Sequence, residues 1–357
     1  MRRTRRLAIV FSAVVLVGVV ALVLRGLDAM GVFTDVAPVA CGEASPIRGV
    51  AGAGAMQYDA TSNALFVSAT DARVWPAHPS AKDGIYLIRP GDAAAPLRLP
   101  GTSAGFHPFG ITLFRASDGS LTLMAITRPA NGNPAIDIFD VSDAATAKIA
   151  LHERESIAGD LLVSPAGIVA VDKGRFYATN EHTSRAGVWL MLERILMLAR
   201  ANVVYFDGAD FRAVAQDLRA ASGIGVSADG AHLYVAETTG REIRTFARNI
   251  FSGDLGPVSA LPIASGLAQL DVGAQGELFV AGAPKLIDAL VYRRDPAKTA
   301  ASQVYRVSVD ARGVPVSAKL VYAGTDIGAA DAALPVRDRL LIGSGLDSKI
   351  LSCALPQ

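Results

Sequence analysis

The chain has 357 residues, 51% of them hydrophobic, and its 34 basic and 33 acidic residues give a net charge of +1 at pH 7. Five of the arginines precede residue 26, so the remainder carries 29 basic residues against 33 acidic ones. This acidic excess excludes a basic surface of the kind that binds nucleic acid. The length suffices for one large hydrophobic core or two modest ones.

The first predicted element is a membrane-spanning helix. Residues 7–24 form an uncharged run of 18 positions, with four arginines before it and Arg25 after it, and such a basic flank marks the cytoplasmic end of a span. A cleaved signal peptide is the alternative, but its apolar core is usually shorter and ends in small residues. We predict a basic cytoplasmic tip at 1–6, an uncleaved signal anchor at 7–24 and a linker at 25–40, with residues 41–357 on the periplasmic or extracellular side.

Two cysteines are present, Cys41 soon after the apolar run and Cys353 four residues from the end. If they pair, they close nearly the whole exported part into one covalent ring. In the chain-entropy model a bond across so long a span stabilises the fold by on the order of 5 kcal/mol, and it requires an oxidising compartment. The alternative is two unrelated buried thiols in a cytosolic protein.

Short runs of β-branched, aromatic and aliphatic residues recur along the exported part, with turn residues between them. The predicted strands are Ala64–Ala69, Gly84–Arg89, Ala135–Val141, Arg175–Thr179, His232–Glu237, Glu242–Ala247, Glu277–Ala281, Gln303–Val309 and Arg339–Gly343. This spacing favours an all-β sandwich, barrel or propeller.

A repeated pattern favours the propeller among these. The sequence ADGAHLYVAETTGR at 228–241 has weaker copies at 274–283 and 61–70, each joining a turn to a strand of the form aromatic-Val-Ala/Ser. A period of about 40 to 50 residues is typical of a four-stranded propeller blade. The chain between the cysteines has room for about six blades, so we predict one six-bladed β-propeller over residues 41–357.

One segment breaks the β pattern. Residues 187–201 (GVWLMLERILMLARA) contain no Pro or interior Gly and are rich in Leu and Met, which predicts an amphipathic helix inserted between blades. Such a helix could rest on the membrane beside the anchor, or it could be a buried lid with no lipid contact.

Four segments are distinctive in their order along the chain. They are FYATNEH at 176–182, NVVYF at 202–206, ASGIGVSADGAHLYVAE at 221–237 and the closing strand at 340–343. Together they resemble the serum paraoxonase/arylesterase family. The resemblance implies a six-bladed propeller with two calcium ions in its central tunnel, which hydrolyses lactones and aryl esters and is related to the gluconolactonase-type propellers. It also implies a retained N-terminal apolar segment and a disulfide between Cys41 and Cys353.

The resemblance implies a calcium site whose ligands have changed. Asn180 matches a calcium-binding asparagine of the family, and Glu181 replaces the aspartate after it. Ser222 stands where the family has a second metal-binding asparagine. Ala268 and Gln269 stand where it has an aspartate followed by an asparagine, so a carboxylate is lost there and an amide is kept. Asp271 is a further candidate, although the alternation of a strand turns it away from the expected face.

Other functional positions of the family are lost. Residues 52–56 (GAGAM) stand where it has an acidic pair, Phe109 stands where it has a histidine proposed to take part in hydrolysis, and Arg128 replaces a second histidine. His107 and His182 are the nearest candidate bases. With a single matching carboxylate, a calcium ion would be poorly compensated, so we expect calcium binding to be weaker than in the family, or absent.

Three functions follow from this pattern. The first is a hydrolase of lactones or aryl esters, in which a metal at the changed site assists the attack of water. The second is an inactive propeller that serves as an envelope-bound scaffold or small-molecule binder. The third is a metal-independent enzyme on the same fold. The sequence contains no Gly-x-Ser-x-Gly nucleophile turn, zinc-ligand spacing or phosphate loop.

Overall fold

The computed structural model describes residues 2–92, 94–103, 105–130 and 132–355, with side chains in the N-terminal helix described from Val10 onward. The side chains of the basic tip predicted at 1–6 therefore lie outside the described part. In chain order, helix α1 (Arg2–Ala29) and strand β1 (Ser45–Arg48) come first. With β1 included, the strands of the described chain form six four-stranded antiparallel sheets, and two further helices lie between strands.

The sheets follow one another as blades. Blade 1 contains β2 (Ala53–Asp59), β3 (Ala64–Ala69), β4 (Gly84–Ile88) and β5 (Leu97–Arg98). Blade 2 contains β6 (Pro108–Arg115), β7 (Leu121–Thr127), β8 (Ala135–Ser142) and β9 (Ala150–Ala158). Blade 3 contains β10 (Pro165–Ala170), β11 (Phe176–Asn180), β12 (Ala201–Phe206) and β13 (Phe211–Leu218), with helix α2 (Gly187–Ile195) between β11 and β12.

The second half of the ring has the same order. Blade 4 contains β14 (Ala221–Val226), β15 (His232–Glu237), β16 (Glu242–Arg248) and β17 (Leu255–Pro262). Blade 5 contains β18 (Gly266–Val272), β19 (Leu278–Ala283), β20 (Ser302–Val309) and β21 (Pro315–Gly324), with helix α3 (Leu286–Arg294) between β19 and β20. Blade 6 contains β22 (Ala332–Val336), β23 (Arg339–Gly343), β24 (Lys349–Ala354) and β1.

The predicted six-bladed propeller is confirmed, and its seam is closed twice. Strand β1 pairs with β24 in antiparallel register from Ser45 opposite Ser352 to Arg48 opposite Lys349, so the start of the chain completes the last blade. The disulfide between Cys41 and Cys353 joins the same two chain ends. The first strands of successive blades contact one another around a central channel.

The repeated sequence pattern corresponds to one structural position. Its three copies form β15, β19 and β3, which are the second strands of blades 4, 5 and 1. All six residues of β3 and of β19 are buried, because a second strand has a neighbouring blade against each face. The aliphatic and aromatic side chains of these strands fill the hydrophobic layers between adjacent sheets.

The helices differ in part from the sequence prediction. Helix α1 reaches Ala29, and its segment Val10–Ala29 is long and apolar enough to cross a membrane, with none of its residues buried. Helix α2 begins at Gly187 as predicted but ends at Ile195 rather than near 201, because Met197 takes a positive φ and Ala201 already pairs in β12. Helix α3 was not predicted.

Candidate functional site

The segments that form the candidate site lie on one face of the propeller. In each blade the start of the first strand pairs with the end of the second, as Pro165 does with Asn180 and Ala221 with Glu237. The chain leaves this face to form α2 after β11 and α3 after β19. The segment after α1 contacts it too, since Met30 accepts a backbone hydrogen bond from Leu286 at 2.9 Å. We call it the entry face.

The channel opens at the entry face into a cavity of about 240 Å³, which we call the channel cavity. Its polar side chains come from all six blades and from α3. They are Thr70, Arg128, Glu181, Ser222, Gln269, Arg293 and Asp331, and the ring of Phe109 lies among them.

Three of the predicted metal ligands, Glu181, Ser222 and Gln269, line this cavity together. Asn180 does not line it. The carboxamide oxygen of Asn180 accepts the backbone N–H groups of Val163 and Ser164, both at 2.9 Å. Its nitrogen donates to the Leu161 carbonyl and to the Asn202 side chain, both at 2.8 Å. The buried amide of Asn180 thus makes its hydrogen bonds to other groups of the protein. The role of Asn180 as a metal ligand stays a prediction.

The two candidate bases, His107 and His182, do not line the cavity, although each is next in the chain to a residue that does. Both are hydrogen-bonded to the protein. The Nδ1 atom of His107 lies 2.7 Å from Oδ2 of Asp83, and both side chains are buried. In His182, Nδ1 lies 2.9 Å from the Ser184 carbonyl and must carry the proton, because a carbonyl only accepts. Its Nε2 accepts a hydrogen bond from Arg194 at 3.1 Å. Burial, assisted by the Arg194 charge, lowers the pKa of His182, so this imidazole is neutral.

Asp331 is a cavity residue that the sequence prediction missed. It immediately precedes β22, the first strand of blade 6, and its Oδ2 accepts the Gly345 backbone N–H at 2.6 Å. Burial raises the pKa of Asp331 to about 6, and the charge of Glu181 acts in the same direction. A search of every first-strand start for a carboxylate would have found this residue.

Two guanidinium groups share the cavity with these carboxylates. Arg128 donates through Nε and Nη2 to the Pro165 carbonyl and lies 4.5 Å from the centroid of the Phe109 ring. Arg293 comes from α3. Burial, with repulsion from Arg194 and Arg293, lowers the pKa of Arg128, and Glu181 opposes this effect. Arginine keeps its proton despite such shifts, so Arg128 is a fixed cation in a poorly solvated place.

A third carboxyl group, that of Asp271, lies in the channel. Asp271 is buried in β18, and its Oδ1 accepts a hydrogen bond from Nε2 of Gln57 in β2 at 2.7 Å. Blades 5 and 1 are separated by blade 6, so this hydrogen bond crosses the channel. Burial raises the pKa of Asp271 to about 7. The Asp271 carboxyl group is therefore partly protonated at neutral pH. The Gln57 amide connects it to blade 1.

These residues do not fit a calcium ion. Calcium takes six to eight oxygen ligands, several of them carboxylate, whereas the side chains of the channel cavity offer two carboxylates, two hydroxyls and an amide beside two guanidinium groups. The amide of Gln269 also donates to the Ala166 carbonyl at 3.2 Å. Among the residues that the structure describes, no group of three or more His, Cys, Asp or Glu side chains could hold a metal.

Comparison with known proteins adds a family to this geometry. The family model described as arylesterase matches residues 94–355. Human serum paraoxonase/arylesterase 2 is 29% identical over 255 residues, which cover 71% of this chain and 70% of that protein. Rat serum paraoxonase/arylesterase 1 is 26% identical over 326 residues, which cover 88% of this chain and 90% of the relative.

Solved structures show the same fold. The periplasmic gluconolactonase of Pseudomonas aeruginosa superposes with a TM-score of 0.53 at 13% identity, covering 85% of this chain and 81% of that one. Regucalcin from Agrobacterium tumefaciens, described as a calcium-binding protein, gives a TM-score of 0.52 at 12% identity and covers 88% of this chain and 94% of its own. At this identity the likeness concerns the fold alone.

Proposed function

The chain belongs to the arylesterase family, a family of lactone and ester hydrolases, and from this premise we propose that it hydrolyses lactones or aryl esters in the channel cavity. The observation that carries the proposal is the meeting of Asp331 and Glu181 with the guanidinium groups of Arg128 and Arg293 in one cavity. A carboxylate base and fixed cations are the two elements that ester hydrolysis by water requires.

The cations stabilise the negative charge that develops on the carbonyl oxygen. Arg128 is held in place by the Pro165 carbonyl and the Phe109 ring, so little reorganisation is needed when the charge appears. None of the ion pairs between described residues includes Arg128, Arg293, Glu181 or Asp331. Their charges are therefore available to a ligand, and low solvation strengthens the interaction.

Asp331 is the proposed general base. With a pKa raised to about 6 by burial, its carboxylate is mostly ionised at neutral pH yet basic enough to take a proton from water. The hydroxyl oxygen forms a bond to the carbonyl carbon, and a tetrahedral oxyanion results. The carbon–oxygen bond to the leaving group then breaks, the leaving oxygen takes the proton from Asp331, and a carboxylic acid and an alcohol are produced.

The calcium of the family has no part in this proposal. The notion of a metal-assisted reaction at Asn180, Glu181, Ser222 and Gln269 rests on the resemblance, whereas the donors of the channel cavity do not fit the ion. No step of the proposed reaction passes through calcium. A measurement in chelator separates the two mechanisms.

A scaffold or small-molecule binder is the second candidate function. It is favoured by the engagement of His182 on both ring nitrogens and by the hydrogen bond between Gln57 and Asp271 that crosses the channel. In that case the cavity would bind a ligand without turning it over.

We propose that the protein is anchored in a membrane by α1, with its propeller on the periplasmic or extracellular side. The disulfide supports an oxidising compartment, and four arginines before the span support a cytoplasmic N-terminus. Helix α2 supports a second contact with the lipid surface, since Trp189 and Ile195 are 66% and 64% exposed. The residues that follow Ile195 line one cleft with the end of α1.

The test is hydrolysis of a panel of five- and six-membered lactones and phenyl acetate by the full-length protein in detergent. We expect activity that persists in EDTA, and a fall in kcat of at least about 100-fold in Asp331→Asn. Asp338→Asn, an exposed aspartate in the turn of the same blade, is the matched control.

Three results would contradict the proposal. Loss of activity in EDTA with recovery in calcium would favour the metal-assisted mechanism. Full activity of Asp331→Asn would show that Asp331 is not the general base. Absence of hydrolysis across the panel, with the protein folded, would favour the binder.

A further inference from the structure

A second and larger cleft lies where α1 meets the propeller. It has a volume of about 590 Å³ and lies between the last turns of α1, the end of α2, the β15–β16 turn of blade 4 and the connections of blade 4 to blades 3 and 5. We call it the anchor cleft and define it by Leu22, Arg25, Phe33, Met197, Arg219 and Arg241, all of which line it.

The anchor cleft is cationic. Three arginines line it from three separate elements, whereas Asp28 is the one carboxylate among its lining residues in the described part. None of the ion pairs between described residues includes Arg25, Arg219 or Arg241. The cleft therefore has an excess of positive charge that the protein does not neutralise by contact.

The arginines are not equivalent in their contacts. Arg241 donates to the Asp28 backbone carbonyl at 3.0 Å and to the Thr34 hydroxyl at 2.9 Å, so it braces the end of the anchor. Arg219 has a buried Nε–H without a hydrogen-bond partner in the described part. A buried guanidinium donor left without an acceptor costs free energy unless a ligand supplies one. Support of the end of α1 thus explains the presence of Arg241 in the cleft but not that of Arg219.

The position of the cleft identifies the ligand. Arg25 directly follows the uncharged run at 7–24, so with α1 inserted it lies at the boundary between hydrocarbon and headgroups. Leu22 and Met197 line the same cleft, and Phe33, also part of its lining, is 61% exposed. Cations beside apolar side chains at this depth match a molecule with an anionic head and acyl chains.

We propose that the anchor cleft binds the phosphate headgroup of an anionic phospholipid in the leaflet next to the propeller. The phosphate accepts hydrogen bonds from Arg25 and Arg219, and the acyl chains lie against Leu22 and Phe33. The inference rests on the proposed insertion of α1. It does not depend on hydrolysis in the channel cavity, so either can fail without the other.

The test measures the thermal unfolding midpoint of the full-length protein in a neutral detergent. It is titrated with dihexanoyl phosphatidylglycerol, with dihexanoyl phosphatidylcholine and with inorganic phosphate. Phosphatidylglycerol should raise the midpoint saturably and at lower concentration than the other two. Arg219→Gln and Arg25→Gln should each weaken its apparent affinity about fivefold, the loss expected for one arginine at an anionic lipid surface.

Arg48→Gln is the matched control, because this exposed arginine in β1 makes the same change of charge away from the cleft. If Arg219→Gln does not fold, Arg25→Gln still tests the proposal, since Arg25 is exposed on α1. Equal midpoint shifts with both lipids would overturn the proposal, as would an equal response to inorganic phosphate. Behaviour of both cleft variants like Arg48→Gln would also overturn it.

Discussion

Glu237 gives the clearest dependence of stability on pH. It ends β15, is 1% exposed, and its Oε2 accepts the Arg219 backbone N–H at 2.8 Å. Its Oε1 is buried without a hydrogen-bond partner in the described part of the chain, and the nearest cation, Nη1 of Arg244, is 3.8 Å away. Burial raises the pKa of Glu237 from 4.5 to about 7, and the charge of Glu242 adds to the effect.

The direction in which stability changes with pH follows from whether the folded and the unfolded chain keep the proton on Glu237. Below pH 4.5 the carboxyl of Glu237 is protonated in both states. Between pH 4.5 and about 7 the unfolded chain releases the proton and the folded chain keeps it, so the free energy of unfolding falls as the pH rises. Above about pH 7 the loss is complete, and the shift of 4.5 to about 7 corresponds to roughly 3 kcal/mol.

The assay is urea unfolding of the full-length protein in detergent at pH 5, 6 and 8. Glu237→Gln removes the titrating group but keeps an oxygen that can accept the Arg219 N–H. Its stability relative to the native sequence should therefore rise by up to about 3 kcal/mol between pH 5 and pH 8. Glu155→Gln, on the exposed outer strand β9, should show no such change. A difference between Glu237→Gln and the native sequence that is the same at all three pH values would refute the reasoning.

Three further predictions concern the disulfide at the seam, the contact of α2 with the membrane, and Asn180. Replacing Cys41 and Cys353 by serine should cost on the order of 5 kcal/mol in urea unfolding and leave the β circular dichroism intact, because β1 still pairs with β24; an unchanged midpoint would contradict this. In a Trp75→Phe protein in liposomes, brominated lipid should quench Trp189, and unquenched emission would argue against lipid contact by α2. Asn180→Ala should lose roughly 2 kcal/mol of stability in EDTA, and a loss seen only with calcium would make Asn180 a metal ligand.

The strands and the seam could be predicted because their signals are local. A buried second strand such as β3 reads as an apolar run next to a turn, and two cysteines at opposite ends of an exported chain have one partner each. The channel cavity could not be predicted in the same way. Asp331 and Arg293 come from blade 6 and from α3, and neither segment has a motif that marks its approach to Arg128 in blade 2.

Helix α3 illustrates a second limit. Leu286–Arg294 has no strong amphipathic pattern and none of its residues is buried, so no periodicity in its sequence marks it as a helix. Its position comes from tertiary contacts, including the hydrogen bond from Leu286 to Met30. A family resemblance does not remedy this, because it points to the positions used by the family and not to new ones.

Asn180 and Glu237 occupy the same place in successive blades. This explains why Asn180 matches the family at a position where the family binds calcium. Each ends the second strand of its blade, and each accepts a backbone N–H from the residues just before the first strand of that blade. In these two blades the side chain at this position therefore has a structural role whether or not a metal is bound. The structure of the blade alone therefore explains the match at Asn180. Evidence for chemistry has to come from the charged side chains that line the channel cavity, which are Asp331, Glu181, Arg128 and Arg293.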